Sequence, residues 1–229
     1  MRKTLVKMTI AHQIVALNKE GICHLHDRRF RSAITCFRSA VELLDETVQV
    51  SQVQVDVRLP VDPVQLKVVP EDHHDSLSPN NIFSFFQQAL SFEADYIFFH
   101  RHSNTMTVLL YNLGLTYHAL AMSGFTGYPS HAFSKALDCY KLALSVLSDL
   151  EGPATDKDIV LPALALLVNT GHICSHHYRI AEAQACRDHL RGLLESKTGS
   201  LGLSDLQEAY FIGELAYSFY LNCAVAPAA

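Results

Sequence analysis

The chain has 229 residues, of which 49% are hydrophobic and 18% charged, and its formal net charge is −5. This length and composition suffice to bury a continuous core, so we expect most of the chain to fold rather than remain disordered. The weak negative charge gives no general attraction to nucleic acid. The longest apolar stretch, near residues 159–168, contains Pro162 and is shorter than the about 20 residues that cross a bilayer. We therefore expect partners other than nucleic acid or membrane.

The six cysteines form no CxxC pair and lie mostly in segments with helical apolar periodicity. Buried free cysteines of this kind are typical of a reducing compartment, not of a secreted disulfide framework. We predict a cytoplasmic protein, with the nucleus as an open alternative.

The first predicted element is a helical hairpin near residues 12–46. Gly21 lies in its first helix, where a small residue allows a second helix to approach closely. The second helix carries a continuous apolar stripe. The stripe consists of Ala33, Phe37, Ala40, Val41 and Leu44.

A large insertion follows at residues 47–104. Val53–Leu59 alternates apolar and polar residues, as a half-buried strand does. The later run IFSFFQQALSFEADYIFFH has two interpretations. Its aromatics suit a strand that pairs with the valine-rich run, whereas FFQQALSFEAD also fits the second helix of a decayed repeat. We favour the β-ribbon.

A second hairpin is predicted near 105–150, with Gly114 in its first helix and Tyr140 in its second. Residues 123–131, SGFTGYPSH, form a long turn between them. A third hairpin is predicted near 158–196, anchored on Gly171. A helix at 204–222 then covers the end of the stack, with Ser204 as its N-cap and Gln207 completing a capping box.

The three hairpins share features at fixed distances from their glycines. Each glycine has a leucine four residues earlier and an asparagine two or three residues earlier, and each second helix has an alanine followed three residues later by a cysteine. These residues are Leu17, Leu110, Leu167, Asn18, Asn112, Asn169, Ala33, Ala136, Ala183, Cys36, Cys139 and Cys186.

This pattern resembles the tetratricopeptide repeat. The stretches that carry the resemblance are IVALNKEGICHL…FRSAITCFRSAVEL, LLYNLGLTYHALAM…SKALDCYKLALSVL and LLVNTGHICSHHYRIAEAQACRDHLRGLL. The third departs at Arg187 and Leu190, where the family prefers an aromatic residue and alanine. The resemblance implies a mainly α protein: one domain, residues 1–229, forming a short α–α superhelix of hairpins with an inserted β-ribbon or irregular segment.

The resemblance also implies a concave groove lined by the first helices, which would bind a peptide or partner helix. The positions that face such a groove are apolar or histidine, with one asparagine, and carry almost no formal charge. They are Asn18, Ile22, His26, Tyr111, Leu115, His118, Val168, His172 and His176. We expect the groove either to bind an apolar peptide or to be filled by the chain's own aromatic insertion. Histidines in contact with a partner would make binding change between about pH 6 and 7.

The groove lacks the lysines and arginine with which some family members hold acidic chaperone tails; only Asn112 matches that clamp. Catalytic signatures are absent from the sequence, including phosphate-binding loops, GxSxG and HExxH. His172 and His176 could chelate a metal, but two ligands make a weak site. Cys174 and His177 lie three residues apart, and a structural cysteine is the favoured interpretation.

We therefore predict a protein-interaction scaffold, neither an enzyme nor a holder of a metal or cofactor, whose partner is a protein or peptide. The alternatives are a histidine-rich metal-binding or hydrolytic protein and a self-associating repeat, so a homo-oligomer remains open.

Overall fold

The computed structural model of the protein describes residues 2–50, 67–69, 83–94, 97, 102–148, 157–196 and 203–224. These residues contain seven long helices, so the predicted mainly α class is confirmed. The tetratricopeptide superhelix itself stays a prediction.

The helices pair in sequence order. They are α1 (Arg2–His26), α2 (Phe30–Val50), α3 (His102–Met122), α4 (Pro129–Ser148), α5 (Lys157–His176), α6 (Ile180–Ser196) and α7 (Asp205–Ala224). Helix α1 packs on α2, α3 on α4 and α5 on α6, while α2 also packs on α3 and α6 on α7. The capping box of α7 is confirmed, because Ser204 Oγ accepts from the Gln207 N–H at 3.3 Å and Gln207 Oε1 accepts from the Ser204 N–H at 3.0 Å.

The described part of the insertion contains two short strands, β1 (Lys67–Val69) and β2 (Ala89–Ser91), which pair antiparallel with Val68 opposite Leu90. The alternative that FFQQALSFEAD is a helix is therefore wrong at β2. The valine-rich run 53–59, which we expected as the partner strand, lies outside the described residues. The turn predicted at residues 123–131 is shorter than expected, since α4 begins at Pro129. Proline is tolerated in the first turn of a helix.

The chain divides into two compact units. Unit 1 comprises residues 1–71 and 87–152, and therefore α1–α4 with both strands. Unit 2 comprises residues 72–86 and 153–229, and therefore α5–α7.

Two hairpins turn in the same way. Arg28 between α1 and α2 and Tyr178 between α5 and α6 both have left-handed backbones, with φ of 56° and 57°. In the first turn the Arg29 N–H donates to the His24 carbonyl at 2.8 Å; in the other the Arg179 N–H donates to the Cys174 carbonyl at 2.8 Å. Both turns are Schellman motifs, and they lie at the same distance from the glycine of their hairpin. The same local arrangement of residues therefore ends the first helix of each hairpin.

The glycines mark the closest packing. A Cβ atom added at Gly21 would lie 2.7 Å from Phe37 Cε1, and one added at Gly114 would lie 2.6 Å from Tyr140 Cε1. In both hairpins an aromatic ring of the second helix thus fills the space above a glycine of the first. The predicted role of these glycines is confirmed.

Helix α5 contains an 18-residue stretch, Ile159–His176, that is long and apolar enough to cross a membrane. Of this stretch 83% is buried within the protein. A core helix has the same character.

Candidate functional site

Each unit contains a candidate site around its own part of residues 83–92, which we call the extended segment. Its residues 83–86 belong to unit 2 and its residues 87–92 to unit 1. Six apolar side chains of the segment are buried. They are Phe83, Phe85, Phe86, Ala89, Leu90 and Phe92.

In unit 1, Asn112 of α3 forms two hydrogen bonds with the backbone of the segment. Asn112 Oδ1 accepts from the Leu90 N–H at 2.9 Å, and Asn112 Nδ2 donates to the Leu90 carbonyl at 2.7 Å. Asn18 of α1 donates to the same carbonyl at 3.2 Å, and its Oδ1 accepts from Asn112 Nδ2 at 2.9 Å. Both asparagines are fully buried, so these bonds satisfy amides that would otherwise be costly to bury.

The pairing with β1 explains why Asn112 binds the backbone of Leu90. Alternate residues of an antiparallel strand direct their backbone groups to the same side. Leu90 directs both its N–H and its carbonyl to Asn112, so β2 carries β1 along one edge and asparagine amides along the other.

Two further contacts hold the segment in unit 1. The Tyr111 hydroxyl donates to the Gln88 carbonyl at 2.8 Å. Lys19 Nζ lies 3.0 Å from Glu93 Oε2, but both side chains are about half exposed, so this ion pair adds little. The segment is therefore bound in unit 1 mainly by the hydrogen bonds of Tyr111 and the two asparagines.

Unit 2 repeats the asparagine contact with different residues. Asn169 Oδ1 accepts from the Phe86 N–H at 2.9 Å, and Asn169 Nδ2 donates to the Phe86 carbonyl at 3.0 Å. Asn112 and Asn169 both stand two residues before the glycine of their helix. The same residue type at the same repeat position thus makes the same two-bond contact in each unit.

Aromatic residues of the segment complete the core of unit 2. A Cβ at Gly171 would lie 2.4 Å from Phe83 Cε2, so the Phe83 ring covers this glycine. Phe85 lies on His172, with ring centroids 5.8 Å apart, and Phe86 contacts Phe211 of α7 at 5.3 Å. Residues 83–86 of the segment are therefore part of the packed interior of unit 2.

A buried carboxylate binds the start of the segment. Glu214 of α7 accepts from the Ser84 backbone N–H at 2.8 Å and from the Ser84 hydroxyl. The Ser84 hydroxyl also lies 3.2 Å from the Tyr210 hydroxyl. Burial raises the pKa of Glu214, and the two bonds from Ser84 counteract that rise.

The nine predicted groove residues fall into two groups. Seven are buried: Asn18, Ile22, Tyr111, Leu115, His118, Val168 and His172. Two are exposed: His26 and His176. Asn18, Tyr111 and His172 contact the extended segment, as the alternative of a groove filled by the insertion requires. The extended segment thus contacts three of the seven buried positions, and the peptide-binding groove itself stays a prediction.

The histidines behave differently from one another. His118 turns to its own hairpin, with Nδ1 3.3 Å from the Tyr140 hydroxyl. Burial, followed by the charge of His176, lowers the pKa of His172 to about 4. His172 is therefore neutral at pH 6–7, and the predicted pH dependence of partner binding stays a prediction.

Sequence reasoning placed Asn18 in the site but left out Asn112, Asn169 and Glu214. The recurrence of asparagine beside each glycine was the signal for the first two, because a buried amide at a repeated position needs a repeated partner. Glu214 gave no signal, since its partner Ser84 lies 130 positions away in the sequence.

Two of the cysteines, Cys139 and Cys174, are placed unfavourably for nucleophilic chemistry. Burial, then the charge of Asp138, raises the pKa of Cys139 to about 11, so this thiol stays protonated at neutral pH. Cys174 is fully buried, which agrees with the structural interpretation of this residue.

The chain matches no family model, no curated protein and no solved structure in the comparisons made. The tetratricopeptide resemblance therefore rests on the residues of this sequence.

Proposed function

We propose that this chain is a protein-interaction scaffold of tetratricopeptide-like hairpins that binds the backbone of an extended polypeptide through asparagine amides. The extended segment is its resident occupant, and a partner binds by replacing that segment. This function requires no catalysis and no cofactor, and we place it in the cytoplasm or nucleus. The paired bonds between Asn112 and Leu90 are the observation that carries it.

The chemistry of asparagine supports this function. One side-chain amide offers an acceptor and two donors, which match the N–H and C=O of a single extended residue. Such contacts bind any sequence that is extended, while pockets for the side chains provide specificity, as in other modes of strand recognition. Asn169 makes the same contact with Phe86, which indicates a device used more than once.

The resident segment sets the requirements for a partner. Burying a large apolar side chain contributes about 1.5–3 kcal/mol, and the segment buries five of them. A replacement must therefore bring a similar set of apolar residues at similar spacing. The segment of a second copy meets this condition by identity, which makes self-association by segment exchange the second candidate function.

The test uses a labelled peptide with the sequence of residues 87–93, QQALSFE, which is the part of the segment that belongs to unit 1. Leu90→Ala weakens the resident segment and leaves Asn18 and Asn112 in place. We expect this variant to bind the peptide at least tenfold more tightly than the wild type, since about 1.4 kcal/mol of lost competition gives a factor of ten. A peptide N-methylated at its Leu90 position lacks the donor for Asn112 and should bind at least tenfold more weakly.

Leu44→Ala is the matched control, because it makes the same truncation at a fully buried site of α2 in unit 1. It should give no tenfold gain. Lack of saturable binding by a folded Leu90→Ala variant, or equal binding of the N-methylated peptide, would contradict the proposed function. A doubled mass in sedimentation that the free peptide reverses would identify a second copy as the partner.

A further inference from the structure

A second feature of unit 1, separate from the extended segment, brings three metal-binding side chains together. Glu20 and His24 lie one turn apart on α1, and Cys36 lies on α2. One ligand atom from each lies within 4.8 Å of those of the other two. His24 Nε2 is 3.6 Å from Glu20 Oε1.

We propose that Glu20, His24 and Cys36 form a binding site for a divalent transition-metal ion, with zinc the best match. Thiolate, imidazole and carboxylate are the donor types that zinc takes, and three protein ligands with an open fourth position is a common arrangement. A thiolate and a carboxylate together also balance the two positive charges of the ion.

The geometry requires only a small closure. Zinc–ligand distances of about 2.0–2.3 Å place neighbouring donors about 3.5 Å apart in a tetrahedral site. The pair formed by His24 and Glu20 already has this spacing. The ligand atom of Cys36 lies within 4.8 Å of the other two, so it needs to approach by at most about 1.3 Å.

The three ligands differ in burial, and this arrangement lets a metal ion enter from solvent. Cys36 is buried, His24 is partly buried and Glu20 is exposed. The exposed side gives an entry path and room for a water as the fourth ligand. His24 Nδ1 is buried and meets no hydrogen-bond partner among the described residues.

The donor set is specific to the first hairpin and is therefore separate from the repeat pattern. Relative to the anchor glycine, the second hairpin has Leu113 and Tyr117 where the first has Glu20 and His24, and the third has Thr170 and Cys174. The cysteine of the second helix is shared by all three. Packing of the repeats accounts for that cysteine, but not for the carboxylate and imidazole that face it.

Cobalt(II) titration followed by absorbance tests the site, because cobalt replaces zinc and a bound thiolate gives a charge-transfer band in the near ultraviolet. We expect one equivalent of cobalt to bind to the full chain with this band, and one equivalent of zinc to abolish it. Glu20→Gln changes an exposed residue and should fold normally. It should lower zinc affinity at least tenfold in competition with a chromophoric chelator, as should His24→Gln.

Cysteine variants locate the thiolate. Cys36→Ser should lose the band, whereas Cys139→Ser, which removes the corresponding cysteine of the second hairpin, and Cys23→Ser, which removes an exposed thiol of α1, should keep it. Absence of a band in the wild type, a band that survives in Cys36→Ser, or zinc affinity unchanged by both Glu20→Gln and His24→Gln would overturn the site.

Discussion

The hairpins of unit 1 and the hairpin of unit 2 solve one packing problem in different ways. Above Gly21 and Gly114 lies an aromatic ring of the same hairpin, Phe37 or Tyr140. Above Gly171 lies Phe83, which belongs to the extended segment and precedes the glycine by 88 positions. Arg187 stands where the aromatic residue of that second helix would be.

The difference shows that residues of the insertion form part of the core of the third hairpin. A hairpin of unit 1 has its own ring to cover its glycine, whereas α5 and α6 depend on residues 83–86. The asparagine contact, in contrast, is the same in both units. Asparagine amides therefore bind the backbone of the segment in both units. The side chains of the segment differ in role, because only in unit 2 does one of them cover a glycine of a hairpin.

The largest expected effect comes from removing the borrowed ring. Phe83→Ala should destabilise unit 2 by about 3–5 kcal/mol, because it leaves a cavity above Gly171. Urea unfolding gives the loss, and faster amide exchange in α5 and α6 locates it. Adding Arg187→Phe, which restores an aromatic residue at the repeat position, should recover at least about 1 kcal/mol. Failure of this rescue in a folded double variant would break the comparison.

A smaller effect is expected from the asparagine contact. Asn112→Ala removes the partner of the Leu90 N–H and of Asn18 Oδ1, whereas the Leu90 carbonyl keeps its bond from Asn18. Because both of these groups are buried, the substitution should cost about 2–4 kcal/mol in unit 1. Asn104→Ala is the control, since Asn104 is a buried asparagine of the same helix whose Oδ1 has no hydrogen-bond partner among the described residues. Equal losses of unfolding free energy in the two variants would show that Asn112 acts only by filling space.

The third prediction concerns pH and separates the units further. The folded pKa of His172 is about 4, against an ordinary value of 6.5. Between these values the unfolded chain binds a proton that the folded chain does not, so stability is complete above pH 6.5 and falls as the pH is lowered to 4. We expect roughly 2–3 kcal/mol of this loss to come from His172.

His172→Gln removes the titrating group and should flatten the profile of unfolding free energy by that amount. The comparison with the wild type cancels other groups such as Glu214, whose raised pKa acts in the opposite direction. A variant profile parallel to that of the wild type would show that His172 is not the group responsible.

Periodicity and repeat phase predicted most of the helical architecture. The second helices, the glycine contacts of Gly21 and Gly114, and the capping box of α7 depend on residues close together in sequence. The extended segment could not be assigned in the same way, because FFQQALSFEAD has apolar spacing that suits either a helix or a strand. Its conformation is decided by Asn112 and Asn169, which lie far away in sequence and take up its backbone groups.

The candidate site was predicted in part for the same reason. Groove positions carried over from the repeat pattern included Asn18 and Tyr111, which do contact the segment. Their burial was missed, since the pattern of one hairpin contains no information on what covers it. Arg187, which departs from the pattern, marks the place where an outside residue is needed.

The smallest expected effect tests what the units have in common. Arg28 and Tyr178 hold left-handed conformations that cost about 1–2 kcal/mol for a residue with a Cβ. Arg28→Gly and Tyr178→Gly should each stabilise the protein by about 0.5–1 kcal/mol, part of the gain being offset by the entropy of glycine in the unfolded chain. Arg31→Gly, within α2, should instead destabilise by about 1 kcal/mol. Thermal unfolding measures all three. Gains at Arg28 and Tyr178 that differ by more than about 1 kcal/mol would mean that the two turns are alike only in geometry, and that each unit sets the energy of its own turn.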